Sequence, residues 1–239
     1  MKGRYKMNYY FLIEDELSFM KILPKWLNYI GFSNTRVVDI EKVTNNCYVL
    51  QSGHGVTQLI TKVLFETIDT ITCTKYHGKI DELVIILDSE QYDTVSRKKE
   101  VSKIIDDYLA KKKITPQFSY KIFVCNHCFE TWLLGNGNLY PCKEPPQDCD
   151  FWSYYINYNI KMNDPEDMRP PHFSKESIGQ YHFRYLHELC RYNNIRYSKK
   201  KPQKVGEKSY FQAIEKRIHD THHLNSFREF YTYFRSKAN

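Results

Sequence analysis

The chain has few glycines, nine in 239 residues, and alanine is also sparse. No apolar run approaches the ~20 residues needed to cross a bilayer, which excludes a helical membrane span. The short run Tyr9–Ile13 is followed at once by Glu14-Asp15-Glu16, so it does not read as the apolar core of a secretion signal. The seven cysteines are odd in number and scattered, in a chain long enough to need no covalent staples. These absences point to a cytoplasmic protein with reduced thiols and no membrane partner. Internal repeats and low-complexity tracts are lacking too.

Tyr and Phe are over-represented, and apolar residues make up 41% of the chain, enough for a substantial core. The formal net charge is +7, a mild excess compatible with a polyanionic partner.

Strand-like and helix-like segments alternate through the first half. Asn8–Ile13 is a compact apolar run ending at Glu14. Leu17, Met20, Leu23, Trp26, Leu27 and Ile30 fall at helical spacing, with Pro24 inside the pattern and Gly31 closing it. Thr35–Ile40 and Cys47–Gln51 read as strands joined by a polar turn at Thr44-Asn45-Asn46. Ser52-Gly53-His54-Gly55 opens a helix but lacks the spacing and lysine of a phosphate loop, so it reads as a strand-to-helix turn. Leu83–Leu87 is a continuous apolar run, which suits a strand buried on both faces. Val95–Leu109 is an amphipathic helix closed by Lys111-Lys112-Lys113. Ser119–Cys125 is a further strand, and Phe129–Leu134 a short helix.

This alternation predicts an α/β domain with a largely parallel, Rossmann-like sheet over residues 1–135. Residues 136–239 read as a helical, basic C-terminal extension packed on it. Its helices are expected at Phe151–Ile160, Ser177–Tyr192, Ser209–His219 and Leu224–Phe234.

Glu14, Asp88 and Glu90 stand at the carboxyl ends of predicted strands, where parallel sheets bind ligands, and Glu130 follows another strand closely. Alternation with period two would aim Asp88 and Glu90 the same way. Such a pair can share a hard cation such as Mg²⁺. The stripe from Arg191 to Lys204 interleaves basic residues with Tyr192 and Tyr197. Within it Arg196, Lys199, Lys200, Lys201 and Lys204 are candidates for a nucleic-acid backbone. Cys125-x₂-Cys128 with Cys142 and Cys149 invites a zinc reading, but the later spacings are irregular and separate thiols are expected. The pair His222-His223 reads as solvated.

A strand ending in Glu14, a helix, and a hydrophobic strand ending in Asp88 and Glu90 together resemble the Toprim domain. That fold is shared by topoisomerases, primases and overcoming-lysogenization-defect nucleases. Asn126-His127-Cys128-Phe129-Glu130-Thr131-Trp132-Leu133-Leu134 resembles the NPxFExWLL segment of small RloB-like Toprim proteins from bacterial anti-phage loci. The tail His223-Leu224-Asn225-Ser226-Phe227 resembles the end of such proteins. The resemblance implies a Mg²⁺-dependent nuclease, with Mn²⁺ as an alternative ion, acting in phage defence beside a partner ATPase of the ABC or AAA type. It leaves homo-oligomerisation open. It assigns Glu14, Asp88 and Glu90 to the metal and adds Glu130 to the catalytic set. Asp15 stands where the family has Gly, Ser18 where it has a second acid, and Glu90 where it has Asp. These departures keep an alternative: a catalytically silent Toprim-like module that binds nucleic acid or docks on the ATPase.

Overall fold

The structure is a computed structural model and describes residues 7–238. The first half folds into a parallel sheet wound with helices. In chain order come β1 (Tyr9–Ile13), α1 (Phe19–Ile30), β2 (Thr35–Val37) and β3 (Cys47–Ser52). The helix that follows is built from α2 (Val56–Gln58), a π turn (Leu59–Val63) and α3 (Leu64–Thr72). Then come β4 (Glu82–Asp88), α4 (Thr94–Lys112), β5 (Ser119–Cys125) and α5 (Phe129–Leu133). The remainder holds α6 (Trp152–Asn157), α7 (Ile178–Tyr192), α8 (Lys208–Asp220) and α9 (Asn225–Lys237).

The sheet has five strands in the order β2-β3-β1-β4-β5, and every pairing is parallel. Tyr9 to Ile13 are all buried, as a central strand covered on both faces requires. β4 lies beside it with Ile13 opposite Ile86. The α/β architecture expected from the alternation is therefore present. The second strand is shorter than the apolar pattern suggests. It stops at Val37, because the Asp39 side chain accepts the Lys42 N–H at 3.2 Å and starts a 3₁₀ turn at Ile40–Lys42. β2 and β3 are parallel neighbours with this turn between them.

Alternate residues divide the sheet between two cores. Tyr10, Leu12, Leu83, Ile85 and Val124 face the side covered by α3 and α4. Phe11, Ile13, Val84, Ile86 and Phe123 face α1, α5 and the C-terminal helices. The second core is aromatic. The Phe234 ring lies 5.5 Å from that of Phe11, and Phe227 lies 5.4 Å from Trp26 and 5.3 Å from Trp132. Rings at these separations add to the area they bury. The C-terminal helices thus join α1 and α5 in one layer of the sheet domain, and the core runs continuously from β1 to α9.

Gly135, just past α5, sits where this layer leaves no room for a side chain. A Cβ there would lie 2.3 Å from Leu224 Cδ1 and 2.9 Å from the Trp132 carbonyl oxygen.

Candidate active site at the carboxyl edge of the sheet

Glu14 leaves β1 at its carboxyl end, where its N–H donates to the Ile86 carbonyl at 2.9 Å and continues the ladder for one residue. Its carboxylate accepts the Asp88 N–H at 2.7 Å. The turn after β3 supports it from the other side. Gly53 N–H donates to Ile13 O at 2.6 Å and Gly55 N–H to Glu14 O at 3.0 Å. Gly55 takes φ +94°, a region open to glycine. The turn brings the N–H of Val56, at the start of α2, towards the Glu14 carboxylate, where it weakly favours the charged form. The strand-to-helix turn read from the sequence therefore serves a carboxylate.

Asp88 ends β4 opposite Cys125. Glu130 is buried in the first turn of α5, where a carboxylate suits the helix dipole. It accepts from Tyr197 Oη at 3.2 Å and lies 3.6 Å from Lys199 Nζ. Glu14, Asp88, Glu130 and Lys199 line one cleft of about 770 Å³.

The electrostatics follow from enclosure. Burial pushes Glu14 up to about 7, helped by the Glu90 charge and opposed by the Asp88 N–H and by Lys199. Burial likewise raises Asp88 well above the usual carboxylate range, with Glu14 and Glu130 adding to it. Lys199 is desolvated, yet Glu130, Asp88 and Asp15 outweigh this and raise its pKa. Acids that cannot ionise freely mark a site short of positive charge.

Glu90 departs from expectation. β4 ends at Asp88, and Glu90 turns away with φ +54°, so the period-two alternation no longer applies to it. It is exposed and reaches only the rim of the cleft, where Arg97 holds it at 3.1 Å. Arg97 is buried, pairs also with Glu100 at 2.6 Å, and lies 4.4 Å from the centre of the Tyr92 ring. Asp15 accepts the N–H groups of Leu17 and Phe19 at 2.8 and 2.7 Å, which makes it a cap for α1. Asp93 caps α4 through the Ser96 N–H at 2.8 Å. Glu16 meets His54 at 2.6 Å on the surface.

The other basic candidates lie further out. Arg196 and Lys201 border a second pocket of about 630 Å³ beside α7. Lys204 pairs with Glu207 at 3.1 Å, and Lys200 is exposed. Lys98 is paired with Glu229 away from the cleft, whose own cations are Lys199, beside Glu130, and Arg184, which is paired with Glu176 at 2.8 Å.

The zinc reading does not assemble. Cys125 and Cys128 are buried, Cys142 is exposed, and all seven cysteines are free thiols. Among the described residues no group of three or more His, Cys, Asp or Glu gathers closely enough to cage a metal ion.

Several cleft residues gave little sign in the sequence. His127 has Nδ1 3.2 Å from Glu90 O and Nε2 3.2 Å from Glu166 O, and burial lowers its pKa. The start of α7 forms another wall, fixed by a capping box between Ser177 and Gln180. That S-x-x-Q pattern was the available signal for it.

No membrane-length apolar helix occurs among the described residues. Comparison with protein families, with curated proteins and with solved structures finds no match to this chain.

Proposed function

We propose that the cleft hydrolyses phosphodiester bonds of a nucleic acid, with Mg²⁺ or Mn²⁺ held by Glu14 and Asp88 and Glu90 available at the rim. The observation that carries this reading is the pairing of two enclosed carboxylates, Glu14 and Asp88, at the ends of adjacent parallel strands in one cleft. Mg²⁺ is commonly bound through one or two carboxylates with water and substrate oxygens completing its shell, and the donor set here fits that habit. When bound, such an ion neutralises charge on the phosphate and lowers the pKa of a bound water. The chain's own residues do the rest. Glu14 is oriented by the Asp88 N–H, so its carboxylate faces a defined direction. Glu130 and the Tyr197 hydroxyl fix Lys199 at the cleft, where its ammonium can meet a phosphate oxygen. Arg196, Lys200, Lys201 and Lys204 would carry the strand beyond the cut. The resemblance to RloB-like Toprim proteins extends the proposal to phage defence under the control of a partner ATPase.

The second reading is a module that binds nucleic acid without cutting it. It is favoured by Lys199 standing among the carboxylates and by the Arg97 clamp on Glu90.

The test is purified protein with Mg²⁺ or Mn²⁺ against DNA, total RNA and tRNA. Cleavage is expected, with Glu14→Gln and Asp88→Asn each lowering it by about 100-fold or more. Cleavage that survives both substitutions removes the site. No cleavage of any substrate, with tight binding retained, selects the second reading.

A further inference from the structure

The cleft does not end at Lys199. Phe183 and His187, one turn apart on α7, point along the same side. Their rings stack at 6.2 Å with an interplanar angle of 29°. Phe183 lines the acidic cleft and His187 lines the second pocket, so the two rings form the floor between them. Lys199 Nζ stands 5.8 Å from the centre of the Phe183 ring, and the Tyr197 ring lies 6.2 Å from it on another side.

The charges along this floor are not equivalent. Arg191 is tied to Asp150 at 2.5 Å, and His187 to Glu188 at 2.9 Å. Arg196 and the Lys201 ammonium line the same pocket with no ion-pair or hydrogen-bond partner among the described residues. A half-buried aromatic floor flanked by two unneutralised cations lies at the exit of an acidic cleft.

We infer that α7 carries a track for a single-stranded nucleic acid, with a base on Phe183 and backbone phosphates on Arg196 and Lys201. Cations alone would serve a duplex equally well, because its phosphates face outward. A ring platform rewards only a base that has left its stack, and base stacking on aromatic side chains is the usual device for holding single strands. The track leads a strand from the second pocket past Lys199 to Glu14 and Asp88. The inference rests on the acidic cleft being the place where a phosphodiester is cut, but its test does not depend on cutting.

Binding is measured by fluorescence anisotropy in metal-free buffer with EDTA. The probes are a labelled DNA strand of about 12 nucleotides, its RNA counterpart and the matching duplex. One strand form should bind at least about tenfold tighter than the duplex. Phe183→Leu, which keeps apolar packing against Tyr197 and removes the ring, should weaken strand binding about tenfold and leave duplex binding nearly unchanged. Arg196→Ala with Lys201→Ala should lower the slope of log affinity against log salt by about 1.4, at about 0.7 per phosphate contact on a single strand. Equal affinity for strand and duplex, no binding to any probe, or a Phe183→Leu protein that melts and binds like the wild type overturns the track. Cleavage without these shifts removes the track and leaves the proposed activity. These shifts without cleavage remove the activity and leave the track.

Discussion

The carboxylate of Glu14 accepts the backbone N–H of Asp88 at 2.7 Å, across the seam between β1 and β4. The two acids are thus linked through the main chain of one and the side chain of the other. Neither can move without disturbing the end of the neighbouring strand.

The Glu14 carboxyl is pushed from an ordinary 4.5 up to about 7, first by burial and then by the Glu90 charge. The folded state therefore binds this proton more tightly than the unfolded chain does. Its contribution to stability is full below about 4.5 and is lost as pH rises through about 7. Glu14→Gln should therefore gain stability over the wild type between pH 5 and pH 8, on the order of 1–3 kcal/mol. Thermal melts at the two pH values check this. Millimolar Mg²⁺ should raise the wild-type melting temperature at pH 8 and leave that of Glu14→Gln unmoved.

Glu90 and Asp88 should not be equivalent. Glu90→Gln, at an exposed rim already held by Arg97, should reduce cleavage by less than about tenfold. Asp88→Asn, in the enclosed centre, should reduce it by about 100-fold or more. Side-by-side rates under one Mg²⁺ concentration decide it; equal losses would make Glu90 a full ligand.

Ser226 Oγ uses all its hydrogen-bonding capacity. It donates to Glu166 at 2.5 Å and accepts from Trp132 Nε1 at 2.8 Å and from the Asn126 N–H at 3.2 Å. Ser226→Ala leaves buried donors unpaired and takes one bond from a buried carboxylate. The expected loss is about 2–3 kcal/mol in urea unfolding, with the slope against denaturant unchanged.

Gly135→Ala should cost about 1–3 kcal/mol, because its Cβ meets a backbone oxygen at 2.9 Å as well as a movable leucine. Gly55→Ala should strain the turn that presents Val56 to Glu14, since φ there is +94°. A fall in cleavage rate larger than the fall in melting temperature explains would separate that positional effect from simple destabilisation.

What could be read in advance was whatever local chemistry decides. The unbroken run Leu83–Leu87 announced a strand covered on both faces, and Gly31 closes α1 in the left-handed conformation, with its N–H on Leu27 and Asn28. Ser177 opens α7 as its spacing to Gln180 suggests. Glu14 and Asp88 could be placed at one edge because parallel strands align their carboxyl ends. Contacts between distant segments were hidden. Nothing local says that Ser226 reaches Glu166, that Lys98 meets Glu229, or that Tyr197 reaches Glu130. Such pairings depend on how whole layers dock, and single-residue periodicity carries no record of it.

The docking of α9 on the aromatic face of the sheet sets an order in time. During synthesis β1, β3 and β4 leave the ribosome well before α7, Lys199, α8 and α9 exist. Until then, the face bearing Phe11, Val84 and Phe123 has only α1 and α5 to cover it, and the rest is open to holdase chaperones or to self-association. The acids are made early and their counter-charge late. The cleft takes two of its walls, the start of α7 and Lys199, from the tail, so it is complete only once the tail has closed over the sheet.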